Sequence, residues 1–165
     1  VRYSSQEVPT VTAAIIQEEE EAEALQVPEV GAGRTGECLE GIRKIAEVTE
    51  DRPVFAGMIG PYSLAGRLLD MTEIMILCYE EPEMVETVLE KVTGFLCDYA
   101  RAFKEAGAHG IVMAEPAAGL LSPGLSREFC VPYVKRICQA AEEAGLVMIY
   151  HNCGMVEPLL GEVGS

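Results

Sequence analysis

A repeated pattern of helix, glycine stop and short apolar run organises the second half of the chain. It appears in residues 103–115 (FKEAGAHGIVMAE) and again in residues 141–151 (AEEAGLVMIYH). In each copy a Glu-Ala-Gly element ends a predicted helix, with Gly107 or Gly145 at the position that favours a left-handed backbone. The apolar residues that follow do not alternate with polar ones, which indicates a parallel strand covered on both faces. The pattern predicts an α/β fold.

The first half of the chain continues this alternation. An apolar run at 54–58 predicts a third strand, and residues 8–16, 17–25 and 31–36 are predicted to be extended, helical and a glycine-rich loop, respectively. A long helix is predicted to begin near Pro82, which a first helical turn tolerates. The apolar stripe of this long helix comprises Val85, Val88, Leu89, Val92, Phe95, Leu96, Tyr99 and Phe103. A second helix is predicted before the strand at 54–58, with an apolar stripe of Leu39, Ile42, Ile45 and Val48.

The spacing of these strands suits either a doubly wound sheet or a (β/α) barrel. Three or four strands cannot close a barrel, which needs about 250 residues when complete. Because the chain of 165 residues begins with valine and has no signal-peptide pattern, we expect a single partial domain over 1–165. It would be the central portion of a longer domain, truncated at both ends, with exposed strand edges there.

Composition and charge narrow the possible partners. The chain is 49% hydrophobic and 24% charged, which is typical of a soluble globular domain, and its apolar runs are shorter than the ~18 residues of a membrane span. A net charge of -15 disfavours nucleic acid and anionic membrane surfaces. The six cysteines lack the spacing of a disulfide scaffold, so we expect reduced thiols and a cytoplasmic protein.

His151 and Cys153 follow the last predicted strand, at the edge where parallel α/β enzymes build their sites. Two residues apart in extended geometry, an imidazole and a thiolate point to the same side and can reach one tetrahedral zinc. Gly154 lets the backbone turn away afterwards. The spacing alone is a weak signal, because a small buried cysteine near a histidine is common. Catalytic zinc needs three protein ligands and an open position, so one or two further ligands are expected beyond Ser165.

Glu115 ends the predicted strand that precedes the His151 strand, and its side chain is expected to face the same edge of the sheet as His151 and Cys153. Its carboxylate is a candidate for catalysis: it would orient a ligand, coordinate zinc when no substrate is bound, or accept a thiol proton. The structural alternative is that Glu115 caps or bonds a neighbouring loop.

Gly60, Tyr62 and Ser63 also follow a strand and lead into a helix. Glycine permits a ligand to approach the backbone, and a helix N-terminus favours an anionic group, so these residues are candidates for substrate binding. Helix capping by Ser63 is the structural alternative. His109 precedes its strand, at the opposite edge, and is expected to be structural. The remaining cysteines are expected to pack, three of them within helices: Cys97, Cys130 and Cys138, with Cys38 and Cys78 near helix ends.

Three stretches together resemble the uroporphyrinogen decarboxylase superfamily. They are GPYSLA at 60–65, AGAHGIVMAE at 106–115 and LSPGLSREFCVPYVKRI at 121–137. The resemblance covers nearly the whole chain after about Gly31. It implies a TIM-type (β/α)8 barrel, of which this chain would be one part.

The sequence YHNCG at 150–154 resembles the methylcobamide:coenzyme M methyltransferase branch of that superfamily. This resemblance implies that His151, Cys153 and a much later cysteine bind a Zn²⁺ ion that activates a thiol such as coenzyme M. It also implies a corrinoid protein as partner, whose methylcobamide supplies the methyl group. A uroporphyrinogen decarboxylase is the alternative enzyme, but that branch lacks the His-x-Cys pair and tends to show Asp where this chain has Glu115. A third possibility is an inactive piece that self-associates as a homo-oligomer.

Overall fold

The computed structural model describes residues 13–154, in which a three-stranded parallel sheet is flanked by helices. A short 3-10 turn, Pro116–Leu120, follows the second strand. In chain order the elements are α1 (Glu19–Ala24), α2 (Arg34–Val48), β1 (Phe55–Ile59), α3 (Pro61–Leu69), α4 (Glu73–Glu80), α5 (Pro82–Glu105), β2 (Gly110–Ala114), α6 (Pro123–Phe129), α7 (Val131–Glu143) and β3 (Val147–His151).

All three strands end at the same edge of the sheet. The order is β1-β2-β3, both pairings are parallel, and Ile59, Ala114 and His151 are partners at the last level. The residues that follow the strands therefore emerge side by side. We call these segments, 60–63, 115 and 152–154, together with His151 at the end of β3, the carboxyl rim.

The predicted α/β architecture is confirmed. Gly107 and Gly145 have φ of +96° and +70°, the left-handed conformation expected after each helix. The first strand lies one residue later than predicted, because Val54 pairs outside the ladder: its carbonyl accepts from the His109 N–H at 2.8 Å.

Burial differs between the strands. The central strand β2 is largely buried, whereas Val147 and Ile149 in β3 are 59% and 46% exposed. The expectation that strands are covered on both faces is therefore wrong for β3, which is an edge strand in residues 13–154.

The core lies between the sheet and α5, which contacts α1, α3, α4 and α7. Pro82 occupies the first turn of α5, as predicted. Seven of the eight predicted stripe residues of α5 are buried, and Phe95 is half-buried. Burying a large apolar side chain contributes about 1.5–3 kcal/mol, so this stripe stabilises the chain substantially.

The N-terminal part of the described chain departs most from expectation. The prediction that the loop extends from 31 to 36 is wrong for its last three residues, because α2 begins at Arg34. At the start of α2, the Thr35 hydroxyl accepts from the Gly31 N–H and donates to the Ala32 carbonyl. The stripe of α2 is only partly covered: Leu39 and Ile42 contact the core, but Ile45 and Val48 are 51% and 81% exposed.

The predicted helix at 17–25 is present as α1, Glu19–Ala24. Of the segment predicted to be extended, residues 13–16 form no strand, although Ile15 and Ile16 both donate to the Leu68 carbonyl; residues 8–12 lie outside the described part. Among the helices of residues 13–154, none is long and apolar enough to cross a membrane.

Candidate active site at the carboxyl rim

The structure brings His151 and Cys153 together. Nε2 of His151, the last residue of β3, lies 3.1 Å from Sγ of Cys153, and both side chains are exposed. In a tetrahedral zinc site with ordinary Zn–N and Zn–S bonds these atoms would be roughly 3.6 Å apart. The pair therefore fits two corners of such a site after a small opening. Metal binding itself stays a prediction.

In residues 13–154 no group of three or more His, Cys, Asp or Glu side chains is placed to hold a metal. Glu115, the acidic residue on the neighbouring strand end, points elsewhere. The described part of the chain thus offers two donors for a metal, which leaves the third ligand expected beyond Ser165 as a prediction.

The Glu115 carboxylate is fully buried and bonded to the start of α3. Its Oε2 accepts from the Tyr62 N–H at 3.0 Å, and its Oε1 accepts from the Ser63 N–H at 2.7 Å. Burial raises the pKa of Glu115 to about 7, although the bonds from Ser63 and Tyr62 oppose that shift. These contacts are those of the structural alternative, in which Glu115 bonds a neighbouring loop. Its catalytic role stays a prediction.

Gly60 permits this close approach. A Cβ at position 60 would lie 2.2 Å from Oε2 of Glu115, so only glycine leaves room for the carboxylate. The sequence made the N–H groups at the start of α3 candidates for binding an anionic ligand group. In the structure they donate to the Glu115 carboxyl group of the protein itself. Gly60 contacts Glu115, and its role in substrate binding stays a prediction.

Tyr62 and Ser63 point into the protein. Both are buried; the Tyr62 hydroxyl lies 3.9 Å from Sγ of Cys78, and burial raises the pKa of Tyr62. The Ser63 hydroxyl accepts from the Ala117 N–H at 3.0 Å, so it ties α3 to the 3-10 turn instead of capping α3. A substrate-binding role for these two residues also stays a prediction.

His109 has a structural contact away from the rim. Its Nδ1 accepts from the Val54 N–H at 3.1 Å, before both strands begin. All six cysteines are free thiols: Cys78 and Cys130 are buried, Cys97 and Cys138 are half-buried, and Cys38 and Cys153 are exposed. The prediction that Cys130 lies within a helix is wrong, because it lies at the junction of α6 and α7.

Two residues at the rim were missed in the sequence. Asn152 bonds the backbone of Gly154, and Gly119 of the 3-10 turn packs against Gly154. An Asn two residues before a Gly is a recognisable turn signal. The contact between Gly119 and Gly154 joins distant segments and has no local signal.

Residues 1–165 match the family model for uroporphyrinogen decarboxylase (URO-D). The chain belongs to this family. The resemblance seen in the sequence is therefore confirmed, and with it the prediction that the parallel sheet and its helices are part of a TIM-type barrel.

Similar proteins come from both branches that the sequence suggested. The methylcobamide:CoM methyltransferase MtbA of Methanosarcina acetivorans is 30% identical over 149 residues, 88% of this chain and 44% of MtbA. MtaA of Methanosarcina barkeri is 30% identical over 160 residues, 95% of this chain and 46% of MtaA. A uroporphyrinogen decarboxylase of Myxococcus xanthus is 31% identical over 138 residues, 79% of this chain and 39% of that enzyme.

A solved structure of a methyltransferase from Methanosarcina mazei superimposes with a TM-score of 0.84 and 30% sequence identity. The match covers 93% of this chain and 46% of that protein. The chain thus spans less than half the length of these relatives.

Proposed function

We propose that the full-length protein is a zinc-dependent methyltransferase that moves a methyl group from a methyl-corrinoid protein to a thiol such as coenzyme M. The observation that supports this most directly is the convergence of His151 Nε2 and Cys153 Sγ at 3.1 Å on the carboxyl rim. Likeness to MtbA and MtaA, named as methylcobamide:CoM methyltransferases, supports the reaction class.

His151 and Cys153 would hold the zinc ion, with a third cysteine from beyond Ser165. When bound, zinc lowers the pKa of a coordinated thiol so that it is a thiolate at neutral pH. The thiolate sulfur supplies the electron pair for the new sulfur–carbon bond. The cobalt–carbon bond breaks, and its pair remains with the corrinoid, so no acid is required for the leaving group.

Glu115 is the proposed acceptor for the thiol proton. A pKa of about 7 suits a carboxyl group that exchanges a proton near neutral pH. Its backbone N–H donates to the carbonyl of His151, so Glu115 and the metal pair leave neighbouring strands of the sheet. The Glu115 carboxyl group is itself buried, which limits its proton exchange with bulk water.

The test is zinc content and thiol methylation in the full-length protein. Zinc should be bound stoichiometrically, and coenzyme M should be methylated from methylcobalamin. His151→Ala and Cys153→Ser should each lose the metal and the activity. Cys38→Ser, which changes another exposed cysteine on α2, is the matched control and should keep both.

Uroporphyrinogen decarboxylation is the second candidate, favoured by the likeness to the Myxococcus xanthus enzyme. A protein that binds no zinc and consumes uroporphyrinogen would establish it and overturn the methyl-transfer proposal. Assaying both reactions on the same preparation separates the two.

A further inference from the structure

Asn152 lies between the two candidate metal donors, and its side chain is bonded in both directions. Its Oδ1 accepts from the Gly154 N–H at 2.8 Å, and its Nδ2 donates to the Tyr150 hydroxyl at 3.2 Å. The first bond closes a turn of the kind that asparagine side chains form with the backbone two residues ahead. The side chain thus ties the residue before His151 to the residue after Cys153.

This tie is anchored in the core. Tyr150 packs against the hydrophobic core, where its hydroxyl interacts with the thiol of Cys130, which is buried at the α6–α7 junction. The rim segment 152–154 is therefore connected to the packed interior through the Asn152 amide, although Cys153 itself is exposed.

The 3-10 turn, Pro116–Leu120, also packs against the 152–154 segment. A Cβ at Gly119 would lie 2.5 Å from Cα of Gly154 and 2.9 Å from Oδ1 of Asn152. The backbones of Gly119 and Gly154 are therefore in contact, and the Asn152 side chain lies beside that contact.

We propose that Asn152 is a positioning residue that holds the His151 imidazole and the Cys153 thiol in the paired arrangement a metal ion needs. The inference rests on the proposed function for the identity of the metal. Asn152 acts through its two neighbours: without its bonds, the exposed segment after β3 has fewer restraints, and binding must then order both donors. Groups that orient metal ligands typically contribute 10- to 100-fold in metal affinity.

The experiment measures zinc affinity of the full-length protein by competition with a chelator. Asn152→Ala should lower the affinity 10- to 100-fold. Tyr150→Phe, which removes the anchor but keeps the bond to Gly154, should lower it by a smaller factor. Gln139→Ala, which removes an exposed amide on α7 that bonds only its own helix, is the control and should leave affinity unchanged.

A second readout separates positioning from general destabilisation. Hydrogen exchange of the Gly154 amide in the metal-free protein should accelerate in Asn152→Ala, while the amides of β2 and β3 keep their rates. Loss of protection throughout the sheet would instead indicate a merely structural role and would overturn the inference.

The outcomes distinguish the two proposals. Wild-type protein that binds zinc, with unchanged affinity in Asn152→Ala, rejects the inference and leaves the proposed function standing. Wild-type protein that binds no zinc rejects the proposed function, and the inference falls with it. If Asn152→Ala does not fold, Tyr150→Phe carries the test, and unchanged affinity in that variant counts against the inference.

Discussion

The backbone N–H of Glu115 donates to the carbonyl of His151 across 2.8 Å, so a buried carboxyl group and an exposed imidazole leave neighbouring strands at the same level. Their environments are opposite. The Glu115 side chain is 0% exposed and bonded to the start of α3, whereas His151 faces outward beside Cys153. Adjacent strand ends thus present the proposed proton acceptor in the interior and the proposed metal ligand at the surface.

Glu115 should make the stability of the protein depend on pH. Its pKa is raised from 4.5 to about 7 by burial, so the folded state binds more protons than the unfolded state between those values. Stability should therefore fall as pH rises from about 4.5 to about 7 and then level off, by on the order of 3 kcal/mol in total. Denaturant unfolding at a series of pH values measures this.

The comparison for that experiment is Glu115→Gln, which does not titrate and should flatten the profile in this window. Glu105→Gln, an exposed position at the end of α5, should keep the profile of the wild type. Equal slopes in the wild type and in Glu115→Gln would contradict the assignment.

Replacing the two histidines of the chain by alanine should have opposite effects on stability and on zinc binding. His109→Ala leaves the N–H of the buried residue Val54 without its acceptor and should cost about 1–3 kcal/mol of stability, with zinc retained. His151→Ala should change the stability of the metal-free protein little, because the side chain is exposed, but should abolish zinc binding. Unfolding curves and zinc content of both variants check this, and loss of zinc only in His109→Ala would reverse the assignment.

Local patterns predicted the framework well. Pro82 and the apolar stripe define α5, the glycines at 107 and 145 end their helices, and the strand ends place His151 and Cys153 at one edge. Each of these features is encoded within a few neighbouring residues. Their relative positions follow from the rule that parallel strands share a carboxyl edge.

The features that the sequence could not predict depend on contacts between residues far apart in the chain. The bonds of Glu115 to Tyr62 and Ser63 join residues more than fifty positions apart, and no local pattern distinguishes them from a free carboxylate aimed at a ligand. The exposure of Ile45 likewise depends on what packs over α2, which its own periodicity does not contain. Asn152 carries no metal-ligand pattern of its own, because that pattern lies in its neighbours His151 and Cys153.

Gly94→Ala should stabilise the protein by about 0.5–1 kcal/mol, because Gly94 lies within α5 and nothing is within 4 Å of an added Cβ. Gly107→Ala provides the contrast. There φ is +96° and the new Cβ would lie 2.8 Å from that of Ala46, so the substitution should be destabilising. Thermal unfolding of both variants measures the difference, and a destabilising effect of Gly94→Ala would show that the exposed face of α5 is not open.

Gly119→Ala should weaken zinc binding without touching a ligand. The added Cβ would meet the Cα of Gly154 at 2.5 Å, and because that atom is backbone, the 3-10 turn or the 152–154 segment must move. Movement of that segment changes the separation of His151 and Cys153, so chelator competition should show lower zinc affinity. Gly41→Ala, in α2 with open space around its Cβ, is the control and should bind zinc as the wild type does. Unchanged affinity in Gly119→Ala would mean that the 3-10 turn yields instead, and that the metal pair is positioned from its own strand alone.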